Sequence, residues 1–491
     1  MGAHTADSEK GGDNNCNFCQ APSAMFRCSR CKIAKFCNAT CFQSAWKTHR
    51  SNCYVQDDPT PTPTVDERVY ARQSGEQSQS NIAHGRIFVS IAAYCDPELT
   101  ETLKSMLHQC KRPDLLYVGL VWQGDVEDGE PLSGEGLDDL RRLWHIDADG
   151  AVDPHEHGTG NLIPELPGEA KMRSQSLLGG RLRMIRMQAG DARGPCWARY
   201  LAQLLWRGEE LYLQLDSHMR FVPAWDEEAR CQLMMCAKHS SKPVLCSYGR
   251  AYPLGMPYTE TPTNLTACLN CAGFFDSNNV LNIRYRSLVR DWDEPRASFF
   301  WSAHFSFSSA DVIREVPYDP RLRMLFFGEE ILMTVRLFTN GWDLFSPCSG
   351  LVFHLWQRDY RRVYADDMRE LYRDLSHSSR KRLHGLLGSG ALPFFEETYR
   401  WPLPGGSNAG PDAFELGSYR SLAEYEEAAG VSFRNRHLSD FALRGGAPSE
   451  DFFMTQEEGG QAAVEMQCRG DMLRMQESKR KRVSGFNHSF T

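Results

Sequence analysis

Apolar residues fall into short runs with a strand–helix rhythm. Residues 86–93 (RIFVSIAA) and 115–123 (LLYVGLVWQ) predict two buried strands. Between them Asp96-Pro97-Glu98 opens a helical stretch reaching about Cys110. Strand, helix and strand within about forty residues make a βαβ unit, so this region begins as an α/β domain with a parallel sheet. LRMIRMQ (182–188) predicts another strand, and GPCWARYLAQLLW a helix with an apolar face, opened by Gly194-Pro195. Leu211, Leu213 and Leu215 then alternate as in a strand with one buried face, and that strand stops at Asp216.

Elsewhere the rhythm breaks, and the breaks define the organisation. Residues 1–15 are polar and read as disordered, and cysteines crowd into 16–53. Residues 54–84 are rich in Pro, Thr, Ser and Gln, a composition that cannot bury a core, and read as a flexible linker. The main domain is expected over 85–400, with a Gly- and acid-rich insertion at 124–172. That insertion holds His145, Asp147, Asp149, His155 and His157 and reads as an exposed acidic segment. Residues 401–445 form a turn-rich extension with a short helix in RSLAEYEEAAG, and 446–491 a mostly disordered tail.

The 491 residues, 41% of them hydrophobic, can bury a large core in two or three domains. A net charge of −8 gives no basic field for nucleic acid. Lys479-Arg480-Lys481-Arg482 fits a nuclear import signal but reads first as a solvated basic tail. The N-terminus lacks an apolar leader, and no run is long and apolar enough to span a bilayer. We therefore expect a cytoplasmic protein, with the nucleus as second compartment, whose thiols are free or metal-bound.

Two patterns carry chemistry. Cys16, Cys19, Cys28, Cys31, Cys37, Cys41, His49 and Cys53 place eight ligands within about forty residues. Zinc takes four such ligands in a tetrahedron, so eight make two closed structural sites, and so short a segment folds only with its metal. Cys37 and Cys41 lie one helical turn apart, as do His49 and Cys53. The second pattern is Asp216-x-His218 at the end of its apolar strand. A period of two sets both side chains on one side of the backbone, a plausible clamp for a divalent ion in the crevice where open α/β sheets bind ligands.

The first pattern, with Trp46 between Cys41 and His49, resembles a MYND zinc finger. The resemblance implies a cross-brace in which Cys16, Cys19, Cys37 and Cys41 hold one zinc and Cys28, Cys31, His49 and Cys53 the other. It also implies a module that takes proline-containing peptides. Phe42 stands where that family usually has glutamine, with Gln43 next.

IFVSIAAYCDPEL, GPCWAR, ELYLQLDSHMRF, KPVLCSY, FFGEEILMTVRLFTNGWDLFSP and VFHLWQRDYR occur in this order along the chain. Together they resemble the cytoplasmic UDP-GlcNAc:polypeptide α-N-acetylglucosaminyltransferases that modify hydroxyproline, relatives of the mucin-type polypeptide GalNAc-transferases. The resemblance covers roughly 86–440 and implies a GT-A-type, Rossmann-like transferase domain beside the small cross-brace finger. It further implies a Mn²⁺-type ion on the diphosphate of a UDP-sugar, with Asp216, His218 and His354 as ligands. Arg199 matches an arginine near the nucleotide. Ala92, Tyr94 and Asp96 match the strand end that holds uridine. Glu329 matches an acidic residue beside sugar and acceptor, with Glu330 as the competing position.

The implied reaction is retaining transfer of a sugar, GlcNAc by resemblance, to a hydroxyl of a protein acceptor: hydroxyproline, serine or threonine. In that family the departing phosphate takes the acceptor proton, so no dedicated base is assigned. Two positions depart from the pattern: Cys95 replaces a frequent arginine, and His304 in WSAHFSF replaces a small residue. His304 is expected to crowd the donor's N-acetyl pocket or the acceptor. The competing reading is a MYND scaffold whose transferase domain only binds a sugar nucleotide.

Overall fold

The computed structural model describes residues 26–27, 35–36 and most of 79–448; the longest stretches it passes over within that last span are 147–161 and 392–400. Contacts divide the chain into two units, Met1–Glu76 and Gln77–Thr491. In the first, Phe26–Arg27 pairs antiparallel with Lys35–Phe36, Phe26 opposite Phe36. The eight expected zinc positions, Cys16, Cys19, Cys28, Cys31, Cys37, Cys41, His49 and Cys53, lie outside the described residues. So do residues 54–78 of the expected linker, the tail from 449, and Asp147, Asp149, His155 and His157 of the acidic segment.

The second unit is built on β1 (Ile87–Tyr94), α1 (Leu99–His108), β2 (Leu116–Gln123), α2 (Glu135–Leu143), β3 (Arg173–Leu177), β4 (Leu182–Met187), α3 (Pro195–Gln203), β5 (Leu211–Asp216) and β6 (Met219–Phe221). There follow α4 (Trp225–Cys236), β7 (Pro243–Cys246), β8 (Arg250–Ala251), β9 (Cys268–Phe275), β10 (Leu281–Ser287), β11 (Arg296–Ser298), β12 (Phe305–Ser309), α5 (Glu329–Thr339), β13 (Asp343–Ser346), β14 (Val352–His354) and α6 (Arg369–Leu386).

Nine strands form one sheet in the order β11-β13-β7-β12-β5-β1-β2-β4-β3. The centre, β5-β1-β2-β4, is parallel, as the βαβ pattern predicts. The whole is mixed: β3 is an antiparallel edge, and β12 runs antiparallel between β5 and β7. Ile87, Val89 and Ile91 point to the face packed by α1 and α4, whereas Phe88 points to the face packed by α3 and α5. Both faces are covered, which is why the central strands read as continuous apolar runs.

Three features of this framework fix the site. The β1–β5 ladder sets Ala92 opposite Asp216, so β5 ends two residues short of the end of β1 at Tyr94. A small sheet outside the main one pairs β14 with β6, His354 opposite Met219, and the Leu355 N–H donates to the His218 carbonyl at 3.1 Å. This ties the two histidine-bearing segments together through the backbone. Finally, α3 starts at Gly194, whose φ of 90° and contact with the Met324 backbone (2.7 Å from an added Cβ) leave no room for a side chain. No helix among the described residues is long and apolar enough to cross a membrane.

Candidate active site

Asp216 ends β5 at the carboxyl edge of the sheet, and three imidazoles face its Oδ2. His354 Nε2 stands 3.2 Å away, His304 Nε2 3.6 Å and His218 Nε2 3.8 Å. The side chains of His218, His304 and His354 are buried. Asp216, His304 and His354 offer ligand atoms all within 4.8 Å of one another, the spacing of a shell around one ion. His218 lies outside that tight set but next to it, its ring centroid 4.7 Å from that of His354.

Burial alone would raise the Asp216 carboxyl. Instead His304, the His354 hydrogen bond and Arg199 hold it well below the usual carboxylate range. Burial pushes all three imidazoles down, His304 to about 3 despite the pull of Asp216. The cluster is thus one carboxylate and three neutral imidazoles, the protonation state in which these groups bind metal.

Asp96 is fully buried, and both of its oxygens engage protein groups. Oδ2 accepts from Ser217 Oγ at 2.6 Å and meets His218 Nδ1 at 2.7 Å. Oδ1 accepts from Tyr360 Oη at 3.0 Å and the Glu98 N–H at 3.1 Å. Burial would raise this carboxyl too, but His218 holds it low. Its side chain therefore orients His218. Tyr94, at the same strand end, donates its hydroxyl to Asp367 at 2.7 Å, and Ala92 sits beside Asp216 in the ladder. Cys95 is buried against Gln123.

Arg199 is buried on α3 and joins two carboxylates: Nη2 lies 2.5 Å from Asp216 Oδ1, and Nη1 3.0 Å from Glu329 Oε1. The Tyr318 hydroxyl also donates to Glu329 at 2.7 Å. Glu329 and Glu330 occupy the first turn of α5, where the helix dipole favours negative charge. Burial raises both; Arg199 opposes the shift at Glu329, whereas Glu330 reaches about 8. Glu330 accepts from the Tyr248 hydroxyl and from the Ala303 N–H at 3.0 Å. Asp216, Arg199 and Glu329 form one chain of contacts, and Glu330 reaches the same place through the residue before His304.

Sequence reasoning had not attached Asp96 to His218, nor given Arg358 any part. Arg358 follows His354 by four residues, and its guanidinium has no hydrogen-bond or ion-pair partner among the described residues, yet its charge is felt at Asp216, His218 and His304. Its position in VFHLWQR was the available signal.

The profile of the glycosyltransferase (GlcNAc) family matches residues 86–435, and that of the MYND finger matches 16–53. No curated protein sequence matches the chain. Among solved structures, GalNAc-T7 with UDP, GalNAc and Mn²⁺ is 13% identical with a TM-score of 0.39, over 64% of this chain and 52% of that one. S. aureus TarS 1–349 is 11% identical with a TM-score of 0.29, over 62% of this chain and 74% of that one. The chain thus spans about half the length of the GalNAc-T7 chain. The expected fold class, a GT-A-type α/β domain with a small zinc finger in the same chain, agrees with both family matches and with the large mixed sheet.

Proposed function

The chain belongs to the glycosyltransferase (GlcNAc) family through residues 86–435, and from that premise we propose that it is a metal-dependent, retaining transferase moving GlcNAc from UDP to a hydroxyl of a protein acceptor. The observation that carries the metal dependence is the convergence of His218 and His354, from two distant segments, on one carboxylate oxygen of Asp216. The fit is chemical as well as spatial. His218 Nε2 is buried with no hydrogen-bond partner among the described residues, while Nδ1 is held by Asp96, so its lone pair faces the place an ion would take.

Asp216, His218 and His354 would hold the ion, which supplies charge stabilisation for the departing diphosphate. Asp96 fixes the His218 ring. Arg199 keeps Asp216 ionised and ties it to Glu329. The free guanidinium of Arg358 is available to a phosphate oxygen. Uridine would lie at the carboxyl end of β1, at Ala92 and Tyr94. Glu329 and Glu330 would line the sugar and acceptor side, Glu330 as a neutral acid able to donate a hydrogen bond to a hydroxyl. The acceptor is hydroxyproline, serine or threonine, and the acceptor proton leaves with the phosphate. The MYND finger, with two structural zinc ions, would recruit a proline-containing partner.

Hydrolysis of UDP-GlcNAc by the full-length protein, with and without Mn²⁺, tests this reading. Asp216→Ala, His218→Ala and His354→Ala should each lower turnover on the order of a hundredfold, the scale of losing one charge-stabilising group. A wild-type protein that binds UDP-GlcNAc but never turns it over, with any divalent ion, would favour the scaffold reading instead.

A further inference from the structure

His304 is one of the two positions read from the sequence as departing from the pattern it resembles, and its surroundings give the departure a use. The antiparallel β12–β5 ladder pairs Phe305 with Leu215. His304 and Asp216, each one residue further along, therefore leave the ladder side by side. His304 Nε2 comes within 3.6 Å of Asp216 Oδ2, between the 3.2 Å of His354 and the 3.8 Å of His218. At that distance it makes no hydrogen bond. The other ring nitrogen, Nδ1, is buried with no hydrogen-bond partner among the described residues. A buried imidazole with neither nitrogen satisfied is costly unless something binds it.

Packing holds the ring in this direction. It stacks on His354 with centroids 4.1 Å apart and planes 4° from parallel. Tyr248 meets it edge-on at 4.6 Å, and Trp356 lies at 5.1 Å. Two parallel imidazoles present their Nε2 atoms to the same carboxylate oxygen. The cluster is also rigidly built, since its two strands and the β6–β14 pair are all backbone-paired.

Resting on the metal reading above, we propose that His304 is a fourth protein ligand of the same ion, and that the resulting site of three histidines and one aspartate retains a divalent transition ion without the nucleotide. Three imidazoles and one carboxylate prefer borderline transition ions to Mg²⁺ or Ca²⁺. A fourth protein ligand would leave one position fewer for diphosphate oxygens than a set of three. The chain therefore trades one donor-dependent bond for one that is always present.

The test is a Mn²⁺ titration of full-length protein carrying only the two zinc ions of its finger, without nucleotide, free Mn²⁺ being read by electron paramagnetic resonance. Wild type should bind one ion that Asp216→Ala does not. His304→Gly should weaken that binding by about tenfold or more, and adding UDP should narrow the gap, because phosphate oxygens fill the vacated position. Binding by His304→Gly equal to wild type, with the Asp216→Ala loss intact, overturns His304 as a ligand and leaves the metal reading standing. No Asp216-dependent binding in wild type, with or without UDP, overturns both. A nitrogen hyperfine measurement on Mn²⁺ in the wild type does not depend on any variant folding: three imidazoles support the proposal, and two overturn it.

Discussion

Asp96 holds the imidazole of His218 by Nδ1, at 2.7 Å, and thereby leaves Nε2 turned toward Asp216. The relationship depends on the fully buried carboxylate meeting only hydrogen-bond donors. Ser217 Oγ and His218 face Oδ2, with Arg361 Nε 3.5 Å from it, while Tyr360 Oη and the Glu98 N–H face Oδ1. The two hydroxyls can turn to accept; the Glu98 N–H, hydrogen-bonded at 3.1 Å, cannot, and neither can Arg361 Nε, but at 3.5 Å it makes no hydrogen bond and constrains the Oδ2 side less. In Asp96→Asn the amide nitrogen is therefore driven to the Oδ2 position, where it forces the His218 proton onto Nε2. That tautomer cannot bind metal. Mn²⁺ affinity should fall by about 10- to 100-fold with the fold intact by circular dichroism. An unchanged affinity would show that His218 is oriented by something else.

Glu330 gives a pH signature. Its pKa is raised from 4.5 to about 8 by burial, against the Tyr248 and Ala303 hydrogen bonds that favour the ionised form. The folded state thus binds a proton that the unfolded state has released. The stability linked to that proton is fully present below about pH 4.5, is lost as pH rises toward 8, and changes no further above it. Glu330→Gln mimics the neutral form and escapes the loss. From pH 5 to pH 9 the variant should gain on the wild type by an amount on the order of a few kcal/mol, read from paired thermal or urea unfolding curves. Parallel curves across that range would mean that Glu330 is ionised in the fold throughout.

How much of this was legible in the sequence depends on whether the signal was local. Asp216 and His218 could be read directly, because an alternating apolar strand ends in an acid and an imidazole on one side. His354 could not: a histidine inside VFHLW looks the same whether it packs in a core or faces an ion, and only the ordered set of motifs singled it out. The attachment of Asp96 to His218 is set by the register of β1 on β5, which no spacing encodes. His304 was visible as an odd residue, yet its direction depends on β12 entering antiparallel beside β5, something a parallel-sheet reading does not supply. The strands themselves were plain because both faces of the sheet are covered, and burial writes itself as apolar runs.

Arg199 yields the strongest stability prediction, because one buried cation serves two carboxylates. Its contacts with Asp216 at 2.5 Å and Glu329 at 3.0 Å are made by side chains almost closed to solvent. Replacing the guanidinium with the similarly sized apolar side chain in Arg199→Met leaves both carboxylates without that partner. Breaking a buried pair in this way costs about 3–5 kcal/mol, more than the pair contributes when intact, because the remaining charge stays desolvated. Arg199→Lys keeps the charge but cannot fork between two partners, and should fall between wild type and Arg199→Met. A divalent ion at Asp216 neutralises one of the two stranded groups, and binding to the folded state alone raises its stability. Saturating Mn²⁺ should therefore raise the melting temperature of Arg199→Met more than that of the wild type, without restoring it fully, since Glu329 still lacks its cation. If Arg199→Met unfolds within about 0.5 kcal/mol of the wild type in metal-free buffer, the range of ordinary surface substitutions, Arg199 does not bridge the two carboxylates.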